Sequence, residues 1–558
     1  MKRNQHIADL GSLLVDQGLR HVIICPGSRN APLIQLFTEN PSFHCRSIVD
    51  ERSAGYLALG MARQLQQPVG IVTTSGTAVL NLAPAVAEAN FQRIPLILFT
   101  ADRPRESIPQ FNNQFINQTE PFIANSKGFY QFPAEVRYDS GLQEMLRAVE
   151  AMAREACTPP RGPVHFNIPL DEPLYEPLPI PFFSHFKDSG KDPLKDPLKE
   201  PAAKAPDKIS PGARILVLAG MGPHGREIPA LLEMLMQRHQ AVVVAENIAN
   251  LPSDGFIANP ELLMSAAMEN ELAGLAPDMV IAFGGQVVSK RLKLFLNAHP
   301  PDEIRILENN PEESLKCMLE AKVKSGGSAS NGGTVYTEDT SSNSYLKTWK
   351  TIEKRAMQNA ADYLEDAPYS NLTAIHKILT CVPGNAVLHL GNSSIIRYSQ
   401  LLPLRSDLHY YSNRGTSGID GTVSSAVGAA MVSREFHLLV VGDLGFVYDS
   451  NALWNKDFPD NLRIVVVNDG GGGIFRLLEG PDRMPFFEEF SVTHHPVSLE
   501  LLTRSFDRGF QRASGLDELE EKLELLWQPG SDVSVLEVDT RGSKNSLIFK
   551  EFLNHHHS

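Results

Sequence analysis

The stretch Val440–Leu478, VVGDLGFVYDSNALWNKDFPDNLRIVVVNDGGGGIFRLL, constrains this chain most. An apolar run, His437 to Val441, ends in Gly442-Asp443. A second, Leu462 to Val467, ends in Asn468-Asp469 and then four glycines, Gly470 to Gly473. Continuous apolar runs of this kind read as strands buried on both faces, hence as neighbours in a parallel sheet. The pattern predicts a helix from about Asn451 between them. In such a sheet the carboxyl ends of the strands face one side, where ligands bind. Asp443 and Asp469 then stand side by side. Two hard oxygen ligands, beside glycines that expose backbone N–H and C=O groups, suit Mg²⁺ holding a diphosphate, with Mn²⁺ as the alternative ion. A Gly-rich turn after a strand is also common with no ligand at all, so the motif needs partners elsewhere.

The chain is long enough to supply them. Its 558 residues exceed what one core can hold and predict three or four domains. No apolar run approaches the ~20 residues of a membrane span. The start, MKRNQHIADLGSLLVDQGLRHVII, reads as an amphipathic helix and a strand without a signal-peptide core. Cys25, Cys45, Cys157, Cys317 and Cys381 are scattered and form no C-x-x-C, which argues for a reducing, cytoplasmic setting and against a zinc site. A net charge of −14 argues against nucleic-acid binding and requires local Arg/Lys sites for any anionic substrate.

Residues 1–178 alternate strands and helices. Strands are predicted at Val22–Cys25, Arg46–Val49, Val69–Thr73 and Leu96–Thr100, with helices at Glu51–Gln64 and Ala78–Phe91. Polar turns follow the strands: Pro26-Gly27-Ser28-Arg29, Asp50-Glu51, Thr74-Ser75-Gly76-Thr77 and Ala101-Asp102-Arg103-Pro104. This is the signature of a parallel sheet with helices on both faces. Glu51 opens a helix, where a carboxylate is favoured by the dipole alone, or where it can hold a protonated ring nitrogen. Residues 179–211, with KDPLKDPLKEPAAKAP, form a Pro- and charge-rich linker. Residues 212–322 give a second α/β unit with strands at Ile215–Ala219, Ala241–Ala245, Met279–Phe283 and Ile304–Leu307. Its Gly220–Gly225 turn, GMGPHG, only partly matches a dinucleotide fingerprint and is read as structural. Lys290 and Arg291 fall near a strand's carboxyl end. Residues 323–345 are a Gly/Ser/Thr connector. Residues 346–558 form the last unit, with Ala386–Leu390 ending in GNSSIIR, His409–Ser412 ending in NRGTSGIDG, and Val533–Val538 as a final strand.

Together PGSRNAPL, DERSAG, TSGTA, TADRP, NNQFINQ, SKR, GNSSIIR, SNRGTSGIDG and NDGGGGIF resemble one branch of the thiamine-diphosphate enzymes, the 2-succinyl-5-enolpyruvyl-6-hydroxy-3-cyclohexene-1-carboxylate synthases of menaquinone biosynthesis. The metal motif of that superfamily is usually GDG, then NN; here Leu444 and Asp469 depart from it. The resemblance implies an α/β fold of three doubly wound parallel-sheet domains. It implies thiamine diphosphate and Mg²⁺ as cofactors, 2-oxoglutarate and isochorismate as substrates, and a homodimer or homotetramer. Glu51 would hydrogen-bond the aminopyrimidine ring, and Ile419 would support the bent cofactor. Asp443, Asp469 and the Gly471 carbonyl would hold the metal, and Gly472, Ile474 and Phe475 would line the cofactor. Ser28, Arg29, Arg103, Asn113, Gln114, Lys290, Arg291, Ser393, Arg397, Arg414 and Leu478 would meet the substrates, because arginine forks suit carboxylates. Gln114, Ser393 and Arg397 would join Glu51 in catalysis. The competing expectations are another thiamine-diphosphate enzyme, acetolactate-synthase-like or a 2-oxo-acid decarboxylase, and a non-catalytic nucleotide-binding module.

Overall fold

The computed structural model describes residues 4–104, 114–134, 140–181, 209–210, 212–251, 255–308, 310–320, 343–477, 480, 483–528 and 530–555. Most of the predicted linker and connector, and Asn113 and Leu478, lie outside these residues.

Three parallel sheets carry the fold. The first holds β1 (His21–Ile24), β2 (His44–Ser47), β3 (Val69–Thr73), β4 (Leu96–Asp102), β5 (Gly128–Gln131) and β6 (Val164–Pro169) in the order β2-β1-β3-β4-β6-β5. The second holds β7 (Arg214–Ala219), β8 (Gln240–Ala245), β9 (Met279–Phe283) and β10 (Glu303–Leu307) in the order β10-β9-β7-β8. The third holds β11 (Val387–Leu390), β12 (His409–Tyr411), β13 (His437–Gly442), β14 (Leu462–Asn468), β15 (Gly509–Ala513) and β16 (Val533–Asp539) in the order β12-β11-β13-β14-β16-β15. Every residue of β3, β4 and β14 is buried, as their unbroken apolar runs require when helices cover both faces.

Two expected helices differ. The helix expected from Asn451 starts at Asp443 instead, runs to Tyr448, and is followed by a 3₁₀ turn, Ser450–Trp454. Asp449 ends the helix because its buried carboxylate turns inward and accepts the Ser424 N–H (2.6 Å) and Oγ–H (2.7 Å). The helix expected over Ala78–Phe91 is split into Thr77–Asn81 and Ala83–Gln92, with Pro84 in the first turn of the second. Proline is tolerated there because that turn's N–H groups have no helical partner. The Gly220–Gly225 turn packs on its own domain: a Cβ on Gly220 would lie 1.9 Å from the Gly285 carbonyl oxygen.

The first and third domains share one apolar core, formed where the helix Glu51–Leu65 meets the helix Thr422–Ala430. A Cβ on Gly60 would lie 2.0 Å from the Ser425 carbonyl oxygen, and one on Gly428 would lie 2.0 Å from that of Leu57. The helices therefore touch backbone to backbone, a distance that only glycine permits. Ser53 Oγ and Ser424 Oγ hydrogen-bond across the same contact at 2.9 Å.

Candidate active site

The carboxyl edge of the third sheet gathers the acidic residues. β13 and β14 are adjacent, with Gly442 opposite Val467, so Asp443 and Asp469 leave the sheet together. Asp443 is buried, with its Oδ1 accepting the Leu444 N–H (2.8 Å) and its Oδ2 accepting the Gly470 N–H (3.0 Å). His495 Nε2 lies 3.1 Å from the same Oδ2. Burial raises the pKa of Asp443, while the Leu444 N–H and His495 hold it back. Asp469 is pushed up to about 6 by burial and then by the charge of Asp443, and Asn371 Nδ2 (3.0 Å) pulls it back. A buried carboxylate beside a half-buried one whose pKa its charge raises fits a divalent cation. Among the described residues no group of three or more His, Cys, Asp or Glu side chains is arranged to hold a metal, so the fit relies on a backbone carbonyl beside the two carboxylates. Gly471 supplies that type of backbone. Its φ is 153°, and a Cβ there would sit 2.6 Å from the Val492 carbonyl oxygen. Ile474 is buried in the 3₁₀ turn that follows, and Phe475 is 37% exposed.

The turn after β11 and the loop after β12 meet at the same edge. Ser393 has φ 73° and ψ −120°, a region that non-glycine residues rarely enter. Such strain concentrates at functional sites. Asn392 is buried and its Nδ2 donates to the Asn413 and Gly418 carbonyls, at 2.6 Å each, while its Oδ1 accepts Arg414 Nη1 at 3.3 Å. Burial and then the charge of Arg397 lower the pKa of Arg414. The buried Arg414 Nε has no hydrogen-bond partner among the described residues, so a donor stands ready. Ile419 reaches the start of the Asp443 helix, 3.9 Å from where a Cβ on Gly445 would stand.

The first sheet's edge collects the predicted basic and polar residues. Arg29 and Arg103 lie in each other's field: burial and then Arg103 lower the Arg29 pKa, with Glu172, Asp171 and Asp102 opposing. Arg29 is buried and already bonded to the Leu170 carbonyl (2.9 Å) and to Glu172 (3.3 Å), whereas Ser28 is exposed. The buried Arg103 Nε has no partner among the described residues. Gln114, at φ 60°, donates from Nε2 to the Ser75 carbonyl (3.3 Å) and accepts the Ser75 hydroxyl on its own carbonyl (3.2 Å). Glu51 is half-buried in the first turn of its helix, which Asp50 caps by accepting the Arg52 (2.8 Å) and Ser53 (3.1 Å) N–H groups. Burial raises the pKa of Glu51, and the Asp50 charge adds to it. Within one chain this helix start does not meet Asp443. Arg52 Nη2 donates to the Tyr448 carbonyl at 2.7 Å, at the opposite end of the Asp443 helix.

In the central domain Lys290 and Arg291 are exposed and open a helix capped by Ser289. Cations are unfavourable there, and Glu261 offsets them by accepting the Arg291 N–H (3.0 Å) and the Ser289 hydroxyl (2.7 Å). Lys293, one turn on, is the residue of this helix whose pKa responds to Arg414, after burial and Glu246. Sequence reading missed it, and missed His495 and Asn392 as well. Asn392 had a signal, since it sits inside the GNSS motif; His495 lies in SVTHHPV, away from any strand end.

Comparison with known proteins decides what this assembly belongs to. A family model described as "Thiamine pyrophosphate enzyme, N-terminal TPP binding domain" matches residues 5–121. The 2-succinyl-5-enolpyruvyl-6-hydroxy-3-cyclohexene-1-carboxylate synthase of Desulfotalea psychrophila is 37% identical over 526 residues, 94% of this chain and 96% of the relative. Proteins of the same name from Flavobacterium johnsoniae and Porphyromonas gingivalis are each 34% identical, covering 96% and 97% of this chain and 96% of each relative. The chain belongs to this synthase family. It is thus a thiamine-diphosphate enzyme of the α/β class, and its three parallel sheets agree with that assignment.

Proposed function

We propose that the chain decarboxylates 2-oxoglutarate and adds the remaining succinyl unit to isochorismate, releasing CO₂, with thiamine diphosphate and Mg²⁺, in menaquinone biosynthesis. One observation carries the reading of the site: the Asp443–Asp469 carboxylate pair, Ile419, Ser393 and the under-bonded Arg414 converge on one edge of the third sheet. Asp443, Asp469 and the Gly471 carbonyl would hold the metal, and the Gly470–Gly473 loop with Ile474 would cradle the diphosphate. When bound, thiamine diphosphate supplies the electron sink for decarboxylation.

The chain's own residues do the rest. Glu51, whose pKa burial raises, would hydrogen-bond the pyrimidine ring. Ile419 would give the cofactor an apolar support beside the start of the Asp443 helix. Arg397 and Arg414 of the third domain, with Arg103 and Gln114 of the first, bind and orient substrate carboxylates. Ser393 presents its hydroxyl to the substrate from a strained turn.

The site takes Glu51 from one subunit and the metal motif from another, so the working unit is at least a homodimer. Two features support this. Arg52, the residue after Glu51, bonds the far end of the Asp443 helix within its own chain. Val49, Tyr448, Trp454 and Phe490 leave apolar surface exposed, at 52%, 53%, 50% and 72%. A cytoplasmic setting is supported by five free cysteines. Among the described residues no helix is long and apolar enough to cross a membrane.

The test is isochorismate consumption by the purified protein with 2-oxoglutarate, Mg²⁺ and thiamine diphosphate, omitting each in turn. Loss of consumption on every omission upholds the reaction. Release of CO₂ from 2-oxoglutarate without isochorismate consumption overturns the acceptor.

A further inference from the structure

The loop between β12, which ends at Tyr411, and the helix that begins at Thr422 carries both Arg414 and Ile419. It has no strand or helix to stiffen it, so a guanidinium and an apolar support can stay in register only if side chains elsewhere fix its backbone. Three do, one from each sheet domain. Asn392 bridges the Asn413 and Gly418 carbonyls from the third domain. Gln286 Nε2 reaches from the central domain to the Gly415 carbonyl at 3.0 Å. From the first domain comes Glu88, which is 0% exposed. Its Oε1 accepts the Gly415 N–H at 2.7 Å, and its Oε2 accepts the Thr416 N–H at 2.6 Å and the Thr416 hydroxyl at 2.5 Å. Gln92 Nε2 is its remaining donor.

Glu88 forms no ion pair among the described residues. The charges of Arg63 and Arg414 lie within its field but not in contact, so several hydrogen bonds must offset the lost hydration of the buried carboxylate. Three of the four donors that do so belong to the one loop holding Arg414. Space is closed as well: a Cβ on Gly415 would lie 2.8 Å from the Glu88 carbonyl oxygen. The loop cannot shift toward the first domain, and it cannot leave without stranding the carboxylate.

We propose that Glu88 is a positioning residue of the reaction, fixing the Asn413–Gly418 loop so that Arg414 binds carboxylate only when the first domain is seated on the third. The proposal rests on the substrate role given to Arg414 above. Glu88 touches neither substrate nor cofactor; it acts through the loop.

The test uses the full-length protein with thiamine diphosphate, Mg²⁺, 2-oxoglutarate and isochorismate. Glu88→Gln keeps the shape but turns an NH₂ donor toward backbone N–H groups. It should raise the KM for isochorismate about 10- to 100-fold. Thiamine diphosphate affinity, read by calorimetry, should stay within about threefold. Thr416→Ala removes one of the three loop bonds and should raise KM about threefold, while Thr416→Ser keeps the hydroxyl and should match wild type. Amide hydrogen exchange should show protection lost at 413–418 and kept in β11 and β12. An unchanged KM in Glu88→Gln, or an equal fall in cofactor affinity with early melting, overturns the proposal. If Glu88→Gln does not fold, the Thr416 pair decides: equal KM for Ala and Ser overturns it, and a rise for Ala alone upholds it. Should wild-type protein bind cofactor yet leave isochorismate untouched, the reaction assigned above fails instead. Loop exchange then decides the role of Glu88, with local loss upholding it and unchanged protection overturning it.

Discussion

The first and third sheets order their strands identically, yet they load the same four turns with different chemistry. After the first strand in sequence come Ser28-Arg29 in one sheet and Ser393 in the other. After the second come Glu51 and, in the third domain, Arg414 with Ile419. After the third come Thr74-Ser75-Gly76 against Asp443, and after the fourth Arg103 against Asp469. Topology decides where polar residues gather, because all carboxyl ends of a parallel sheet face one way. The turn residues decide what that edge can hold. One edge presents two arginines, one of which lowers the other's pKa, and the other presents two carboxylates, one of which raises the other's pKa.

Replacing the first sheet's carboxylate should have the largest effect. Glu51→Gln should slow isochorismate consumption about 10²- to 10⁴-fold while leaving diphosphate binding measurable; a wild-type rate would remove the functional contrast between the edges. The contact that ties the two sheets together comes next. Gly60→Ala or Gly428→Ala places a methyl where the other helix's carbonyl stands. Each should destabilise by about 1–3 kcal/mol in urea denaturation, and unchanged stability would mean that the helices are not held backbone to backbone. Asp469→Asn sharpens the third edge alone. Losing one carboxylate charge should weaken Mg²⁺ about tenfold in a titration of thiamine diphosphate binding, and tighter Mg²⁺ binding would show that the pair is over-charged for its ion.

The smallest effect concerns Asp449, under the contact between the sheets. Burial pushes its pKa up to about 7, with the Ser424 N–H and hydroxyl holding it back. An unfolded carboxylate titrates near ~4, so between about pH 4 and pH 7 the unfolded chain loses this proton first. Its contribution to stability therefore falls as pH rises through that window. Asp449→Asn lacks the slope, and its Tm relative to wild type should rise by a few degrees from about pH 4 to about pH 7. A constant difference would show that Asp449 is ionised throughout.

Most central strands were legible because they are buried on both faces and read as unbroken apolar runs; β6, VHFNIP, was not, because His165 and Asn167 break its run. Nor were β5 and β15. GFYQ and GFQRA are short edge strands opened by glycine, and β5 is only partly buried along its length. The motif loops singled out Asp443, Ser393 and Arg414 as candidates because several such loops occur together along the chain. Arg29 was legible as a residue but not as a bonded one, because Glu172 and Leu170 come from the far end of the domain. Glu88 lay in plain view as a lone acid in the apolar helix APAVAEANFQ, although its partners stand more than three hundred positions away.

Backbone contact between Gly60 and Ser425 also sets a schedule for synthesis. Helix Glu51–Leu65 leaves the ribosome early, with a face of small and apolar side chains that the finished molecule buries against residues 422–430. At about 5–20 residues per second the covering helix follows roughly 20–70 s later. For that interval the nascent first domain carries an apolar face that the finished molecule covers, the kind of surface that favours aggregation.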